Sequence, residues 1–215
     1  MTLTRRTVLA GGAFAFAFAA MGAPVFAQQA ETSVSVDKLM AKGPLEEMAL
    51  GADDAPVTIV EYASLTCSHC AAFHAETYPE LKEKYIDTGK VRFVLREFPL
   101  DPLAAAGFML ARCRPSDQYF DMVDLLFDKQ RQWAYAQDPV SALQNIAKQA
   151  GFTQETFEEC LTNQELLDGV NEVKDLGAQN FGVTSTPTFF INGRMLRGAR
   201  GIDEFSEAID PELNG

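Results

Sequence analysis

Cys67 and Cys70 are separated by only two residues, Ser68 and His69, which places two thiols within one turn of chain. A disulfide between them would close so small a loop that it would stabilise the fold little, because this stabilisation grows with loop length. A pair of this kind is better suited to thiol–disulfide exchange or to half of a metal site. The spacing favours a redox-active Cys67–Cys70 disulfide.

A metal site at this pair would need two further ligands. The other two cysteines, Cys113 and Cys160, are far apart in the sequence, and His74 is the only histidine besides His69. We therefore expect neither a bound metal nor a cofactor. A non-catalytic thiol- or metal-binding module is kept as the alternative.

The pair is positioned by a strand before it and a helix after it. Residues 57–62 are β-branched and apolar, which predicts a buried strand, and residues 68–86 form a helical pattern that Pro79 should kink. Cys67 then lies at the helix N-terminus, where free N–H groups and the helix dipole stabilise a thiolate. A protonated or hydrogen-bonding His69 would add to this effect, and such surroundings lower a cysteine pKa to about 3.5–7.5.

Two other places in the sequence could assist the dithiol. Glu61 is in the strand that leads to Cys67, where it is either an acid beneath the dithiol that exchanges protons with it or an exposed carboxylate. Thr186–Pro187 precedes an apolar segment, and since proline cannot donate a hydrogen bond within a sheet, Pro187 is expected where a strand begins. The bond between the two residues could be cis.

The remaining pattern predicts a split α/β domain. Residues 91–98 alternate and predict a second strand parallel to the first, after a helical crossover. Residues 101–180 are helical in pattern, and a hairpin then follows, with strands 188–191 and 195–197 on either side of Asn192–Gly193. A short helix from Asp203 to Ile209 ends the order. The hairpin needs the earlier strands to be stable, so the helices are interpreted as an insertion into one sheet domain.

The first residues have the pattern of an export signal. Arg5 and Arg6 precede an uncharged stretch rich in alanine and phenylalanine, and cleavage is expected after Ala27. The Sec and twin-arginine routes both fit, and a membrane anchor is the weaker alternative because glycines and Pro24 interrupt the stretch. The net charge of −12 argues against nucleic acid or an anionic membrane as a partner.

Export changes the interpretation of Cys113 and Cys160. In an oxidising compartment, two cysteines on apolar helical faces with no other partner predict a structural disulfide. Two buried free thiols that pack as small hydrophobic side chains are the alternative.

Two segments of the sequence resemble the DsbA-like family of thiol:disulfide oxidoreductases, within the thioredoxin superfamily. VTIVEYASLTCSHCAAFH, residues 57–74, resembles the active-site segment of that family, and TSTPTFFINGR, residues 184–194, resembles its cis-proline segment. The resemblance covers about residues 45–210. It implies a thioredoxin fold built from residues 45–100 and 181–215, with residues 101–180 as an inserted helical subdomain. The signal peptide (1–27) precedes it, and the small, polar composition of residues 28–44 predicts a flexible or loosely attached lead-in.

The resemblance also implies roles for single residues. Cys67 matches the exposed nucleophile, Cys70 its buried partner, and His69 the residue that stabilises the thiolate. Pro187 matches the cis-proline that faces the dithiol, with backbone hydrogen bonds to an extended substrate offered at Thr186. Glu61 matches the buried acid of the family.

The resemblance implies an exported oxidase that introduces disulfides into other proteins. The expected partners are unfolded or reduced exported proteins with free cysteines and a membrane redox partner that reoxidises the dithiol. We expect a periplasmic monomer. Ser68 replaces the usual proline, and Thr186 is similar to the residue of isomerases, which keeps a reductase or isomerase as the alternative. Residues 28–44 are too few for the dimerisation domain of the related isomerases.

Overall fold

A five-stranded mixed sheet forms the centre of the computed structural model, which describes residues 33–214. Its strand order is β1-β3-β2-β4-β5. The strands β2 and β3 are parallel and every other neighbouring pair is antiparallel. The five strands are β1 (Met48–Leu50), β2 (Val57–Ala63), β3 (Val91–Glu97), β4 (Thr188–Ile191) and β5 (Arg194–Arg197).

Ten α-helices surround this sheet within the described residues. They are α1 (Val36–Leu39), α2 (Ser68–Glu76), α3 (Tyr78–Leu81), α4 (Pro102–Arg112), α5 (Tyr119–Asp128), α6 (Gln130–Trp133), α7 (Pro139–Gln149), α8 (Gln154–Leu161), α9 (Gln164–Phe181) and α10 (Ile202–Leu213). A π-helical turn, Lys82–Ile86, follows α3, and a 3₁₀ turn, Ser116–Gln118, precedes α5.

The central strand β2 separates two apolar clusters, because successive side chains of a strand point to opposite faces. Ile59 belongs to the larger cluster, which also contains core residues of α2 and of the helices α4 to α8. Val60 and Tyr62 belong to a smaller cluster on the other face. The helices between β3 and β4 therefore share their core with the sheet.

The predicted order of strand, helix and strand is confirmed. The helical pattern of residues 68–86 is divided at Thr77, two residues before Pro79, which takes a first-turn position in α3. This agrees with the proline's inability to continue a helical hydrogen-bond ladder. The predicted hairpin is also present, and Asn192 and Gly193 both have positive φ angles, 45° and 84°, as this kind of turn requires.

The part of the expected lead-in, residues 28–44, that the structure describes makes contacts with the sheet. The backbone N–H of Val34 donates to the oxygen of Gly193 at 2.8 Å, and α1 buries Leu39 in the smaller cluster. A short edge strand, β1, then pairs with β3. The segment is anchored because Leu39 covers one face of the sheet. Residues 28–32, like the expected signal peptide 1–27, lie outside the described residues.

The C-terminal helix is longer than the pattern of residues 203–209 predicts, since α10 continues to Leu213. The structure joins Cys113, which follows α4, to Cys160 in α8 by a disulfide with an S–S distance of 2.08 Å. None of the helices within residues 33–214 has the length and apolar character needed to cross a membrane.

Candidate active site

Cys67 is the N-cap residue of α2, four residues beyond the end of β2. Its thiol is half-buried, and its Sγ lies 3.3 Å from the backbone oxygen of Thr186. A hydrogen bond from the Cys70 thiol lowers the pKa of Cys67. Burial opposes this, while the Thr186 side chain and the backbone N–H groups of Cys70 and His69 lower it further, to about 5. Cys67 is therefore a thiolate at neutral pH in the reduced protein.

Cys70 is completely buried one turn further along α2. Burial raises its pKa well above the ordinary value, and its contacts with Cys67 and the negative charge of Glu61 raise it further. The structure contains the pair as two free thiols, which is the reduced state. One sulfur is thus stabilised as an anion at the surface and the other as a neutral thiol beneath it.

A buried side chain from the inserted helices fixes the loop between β2 and α2. The carboxamide of Gln130, at the start of α6, donates to the backbone oxygens of Leu65 at 2.8 Å and Cys67 at 2.9 Å. The loop has two further tethers at Thr66, whose hydroxyl donates to Asp101 at 2.6 Å and whose backbone oxygen accepts from Tyr135 at 3.2 Å. The position of Cys67 is therefore set by residues from three parts of the chain.

The Thr186–Pro187 peptide bond is cis and directly precedes β4. The antiparallel pairing of β4 with β2 places Thr188 opposite Tyr62, so the start of β4 lies at the end of the sheet where β2 leads to Cys67. This register explains the contact between Cys67 and Thr186 across more than a hundred residues of sequence.

Glu61 is completely buried on β2, where it forms an ion pair with an unexpected partner. Its Oε2 lies 3.0 Å from Nε2 of His74, a buried residue of α2. Burial alone would lower the pKa of His74, but attraction to Glu61 and to the nearby Asp124, together with the hydrogen bond to Glu61, raises it to about 9. The imidazole also stacks on Phe127, with ring centroids 4.2 Å apart. Glu61 is thus not the exposed carboxylate of the alternative interpretation.

The predicted site residues lie together at one end of the sheet, except for the exposed side chain of His69. Cys67, Cys70, Glu61 and Thr186–Pro187 surround the start of α2, whereas the side chain of His69 is exposed and only its backbone N–H acts on the Cys67 sulfur. His69 therefore contacts the thiolate through its backbone N–H and not through its imidazole.

Sequence reasoning missed two residues of this site, His74 and Gln130. His74 could have been found, because it follows Cys70 by four residues and so lies on the same helix face. Gln130 could not be found from sequence spacing, because only the tertiary fold brings α6 next to the loop between β2 and α2. Within residues 33–214, no group of three or more metal-ligating side chains is close enough to hold a metal ion.

Comparison with known proteins places this geometry in a family. A family model described as thioredoxin matches residues 44–211. A protein of Rickettsia conorii provisionally named a protein-disulfide oxidoreductase is 32% identical over 191 residues, which cover 88% of this chain and 69% of the relative. Disulfide bond formation protein D of Bacillus subtilis is 30% identical over 171 residues, covering 77% of each chain.

The crystal structure of alpha-DsbA1 from Wolbachia pipientis is similar at 32% sequence identity, with a TM-score of 0.76 over 83% of this chain and 96% of that one. This chain belongs to the DsbA-like thiol:disulfide oxidoreductases. The predicted thioredoxin fold is confirmed, and the DsbA-like protein is an enzyme of thiol–disulfide exchange.

Proposed function

We propose that this DsbA-like protein is an exported dithiol oxidase that introduces disulfides into other proteins through Cys67 and Cys70. The observation that carries the proposal is the opposite displacement of the two cysteine pKa values, to about 5 for Cys67 and upward for Cys70. Stabilising the thiolate stabilises the reduced enzyme, which makes the enzyme disulfide a stronger oxidant.

The proposed reaction begins with the Cys67–Cys70 disulfide. A substrate thiolate attacks Sγ of Cys67, and the Cys70 sulfur leaves with the bonding electrons and takes up a proton. A second substrate thiolate attacks the substrate sulfur of the mixed disulfide, and Cys67 leaves as a thiolate. The substrate has lost two electrons, and the enzyme has gained them as a dithiol.

Cys67 is the proposed nucleophile because its sulfur is accessible and anionic, and Cys70 is the resolving thiol because it is buried beside it. The backbone of Thr186, held before cis-Pro187, is the proposed contact for an extended substrate segment next to the sulfur. His69 is proposed to stabilise the thiolate, and Glu61 to exchange the proton that Cys70 gains and loses.

The Cys113–Cys160 disulfide supports an oxidising location, because stable disulfides are rare in reducing compartments. The export pattern of residues 1–27 points in the same direction. We propose a periplasmic protein whose substrates are unfolded or reduced exported proteins with free cysteines. A disulfide in a membrane redox partner is the proposed acceptor of the two electrons.

Oxidative refolding of a reduced, unfolded test protein is the direct test. The oxidised enzyme should accelerate disulfide formation in stoichiometric amounts, and Cys67→Ser should abolish the effect, because no other described thiol is both accessible and anionic. A redox titration of the same preparation separates the alternatives. An oxidising potential supports the oxidase, whereas a potential near that of thioredoxin, about −270 mV, would identify a reductase.

A further inference from the structure

A row of buried titratable side chains leads from the resolving cysteine towards the surface. Cys70 and His74 are four residues apart in α2 and so lie on one helix face. Opposite them, Glu61 projects from β2 and contacts His74 at 3.0 Å. On the far side of the imidazole, Nδ1 lies 3.8 Å from Oδ1 of Asp124 in α5, whose side chain is 51% exposed.

The burial along this row changes abruptly at its last member. The side chains of Glu61 and His74 are 0% and 3% exposed, so neither can exchange a proton directly with bulk water. Oε1 of Glu61 and Nδ1 of His74 have no hydrogen-bond partner among the described residues. Each therefore has one atom free to accept or donate a proton, and for the imidazole this is the atom nearest Asp124.

The other groups around His74 do not offer a competing route. Tyr78 of α3 lies beside the imidazole, with ring centroids 4.8 Å apart, but burial raises its pKa and keeps its hydroxyl protonated. Phe73 and Phe127 enclose the ring with apolar surface. Asp124 is the one acidic group that contacts both His74 and the solvent.

We infer that His74 and Asp124 extend the path of the Cys70 proton from Glu61 to the solvent. This inference rests on the proposed proton exchange between Cys70 and Glu61. When Cys70 gives its proton to Glu61, the imidazolium releases one from Nδ1 to Asp124, and the Glu61–His74 pair keeps the same number of protons. When Cys70 is the leaving group, the same transfers run in reverse.

The distance of 3.8 Å between Nδ1 and Asp124 is too long for a hydrogen bond but suits an ion pair. Because the Asp124 side chain is half-exposed, rotation about its own bonds can shorten the contact and then return the carboxylate to water. Asp124 is a positioning residue in this scheme, since it touches neither sulfur.

The test isolates the step in which Cys70 loses its proton. Reduced enzyme reacts with oxidised glutathione in two phases, attack by Cys67 to give a mixed disulfide, and then its resolution by Cys70. In the second phase the Cys67–Cys70 bond forms, and glutathione leaves as a thiolate. The first phase depends on the glutathione concentration and the second does not, so stopped-flow mixing with acid quench and mass spectrometry gives both rates.

Asp124→Asn should slow resolution on the order of tenfold, which is less than the about 10²–10⁴-fold typical of general acid–base catalysis, because water at the exposed end of the side chain can partly replace the lost carboxylate. Its rate should rise with hydroxide concentration more steeply than in the wild type. Asp124→Glu should restore the wild-type profile. Asp121→Asn is the matched control, since it removes the same charge one turn earlier on the same helix without contacting His74.

The outcomes separate the inference from the function on which it rests. A wild-type protein that never resolves its mixed disulfide would overturn the proposed function and the inference together. If the wild type resolves normally and the two aspartate-to-asparagine variants have equal rates and pH profiles, the proton path through Asp124 is wrong while the oxidase proposal stands. Unchanged attack by Cys67 in each variant shows that the fold and the thiolate are intact.

Discussion

The two cysteines of the dithiol occupy different environments although only two residues separate them. Two backbone N–H groups of the first helical turn donate to the sulfur of Cys67, whereas Cys70 is completely buried and is influenced by the charge of Glu61. Burial and the nearby carboxylate disfavour a second anion. This asymmetry depends on where α2 begins. If the helix began one residue earlier, Cys67 would no longer be its N-cap residue.

The lowered pKa of Cys67 makes the stability of the reduced protein depend on pH. A group with a folded pKa of about 5 and an unfolded value of 9.0 contributes stability that is complete above pH 9. That contribution is lost as the pH falls through 5. We therefore expect the free energy of unfolding of the reduced protein to fall relative to that of the oxidised protein as the solution is acidified.

Urea unfolding of both redox forms over a pH series measures this difference. The variant Cys67→Ser, which has no thiolate to lose, is the control for all other titrating groups. Equal pH dependence in wild type and variant would mean that the folded protein does not stabilise the anion.

At the level of elements, the active site depends on a helix that is remote in sequence. Gln130 of α6 binds two backbone oxygens of the loop that carries Cys67, and α6 reaches this position because the inserted helices share the core of the sheet. The insertion thus holds the reactive loop in place.

Replacing Gln130 by leucine should both destabilise the protein and raise the pKa of Cys67. Two carbonyl groups would lose their buried donor, at a cost of about 1–3 kcal/mol each. The freed loop would also hold the sulfur less firmly against the N–H groups of α2. Chemical denaturation and the thiolate absorbance during a pH titration check the two effects. Gln132→Leu, an exposed position on the same helix, should change neither.

The elements could be predicted from sequence where one local signal was strong. β2 is β-branched and apolar, and Asn192–Gly193 can adopt the positive φ angles of a tight hairpin turn, so both were found. β1 was missed because three residues give no periodicity, and Leu39 because its burial depends on a sheet face formed by later strands. The spacing of Cys67, His69 and Cys70 was enough to predict that they lie at the start of a helix. The ion pair of Glu61 with His74 could not be predicted in this way, because it is a tertiary contact between a strand and a helix.

At the scale of the whole molecule, the Cys113–Cys160 disulfide crosslinks α4 and α8 across 47 residues. It restricts the unfolded chain without touching the dithiol. Replacing both cysteines by alanine should lower the free energy of unfolding by about 2–4 kcal/mol, the typical contribution of such a loop. The redox potential of Cys67 and Cys70 should stay the same.

Thermal unfolding of the oxidised double variant, beside a redox titration, distinguishes these expectations. A changed potential with unchanged stability would reverse the assignment, making the second pair part of the redox chemistry rather than a crosslink.

The same crosslink makes this protein a possible substrate of its own proposed activity. Every newly synthesised copy begins with Cys113 and Cys160 as two separate thiols, and it gains the stability of the crosslink only when they have been oxidised. A copy without this disulfide therefore resembles the proposed substrates, which are reduced proteins with free cysteines. Under the proposed function, mature molecules can introduce this crosslink into later copies, so each crosslinked copy speeds the crosslinking of the next.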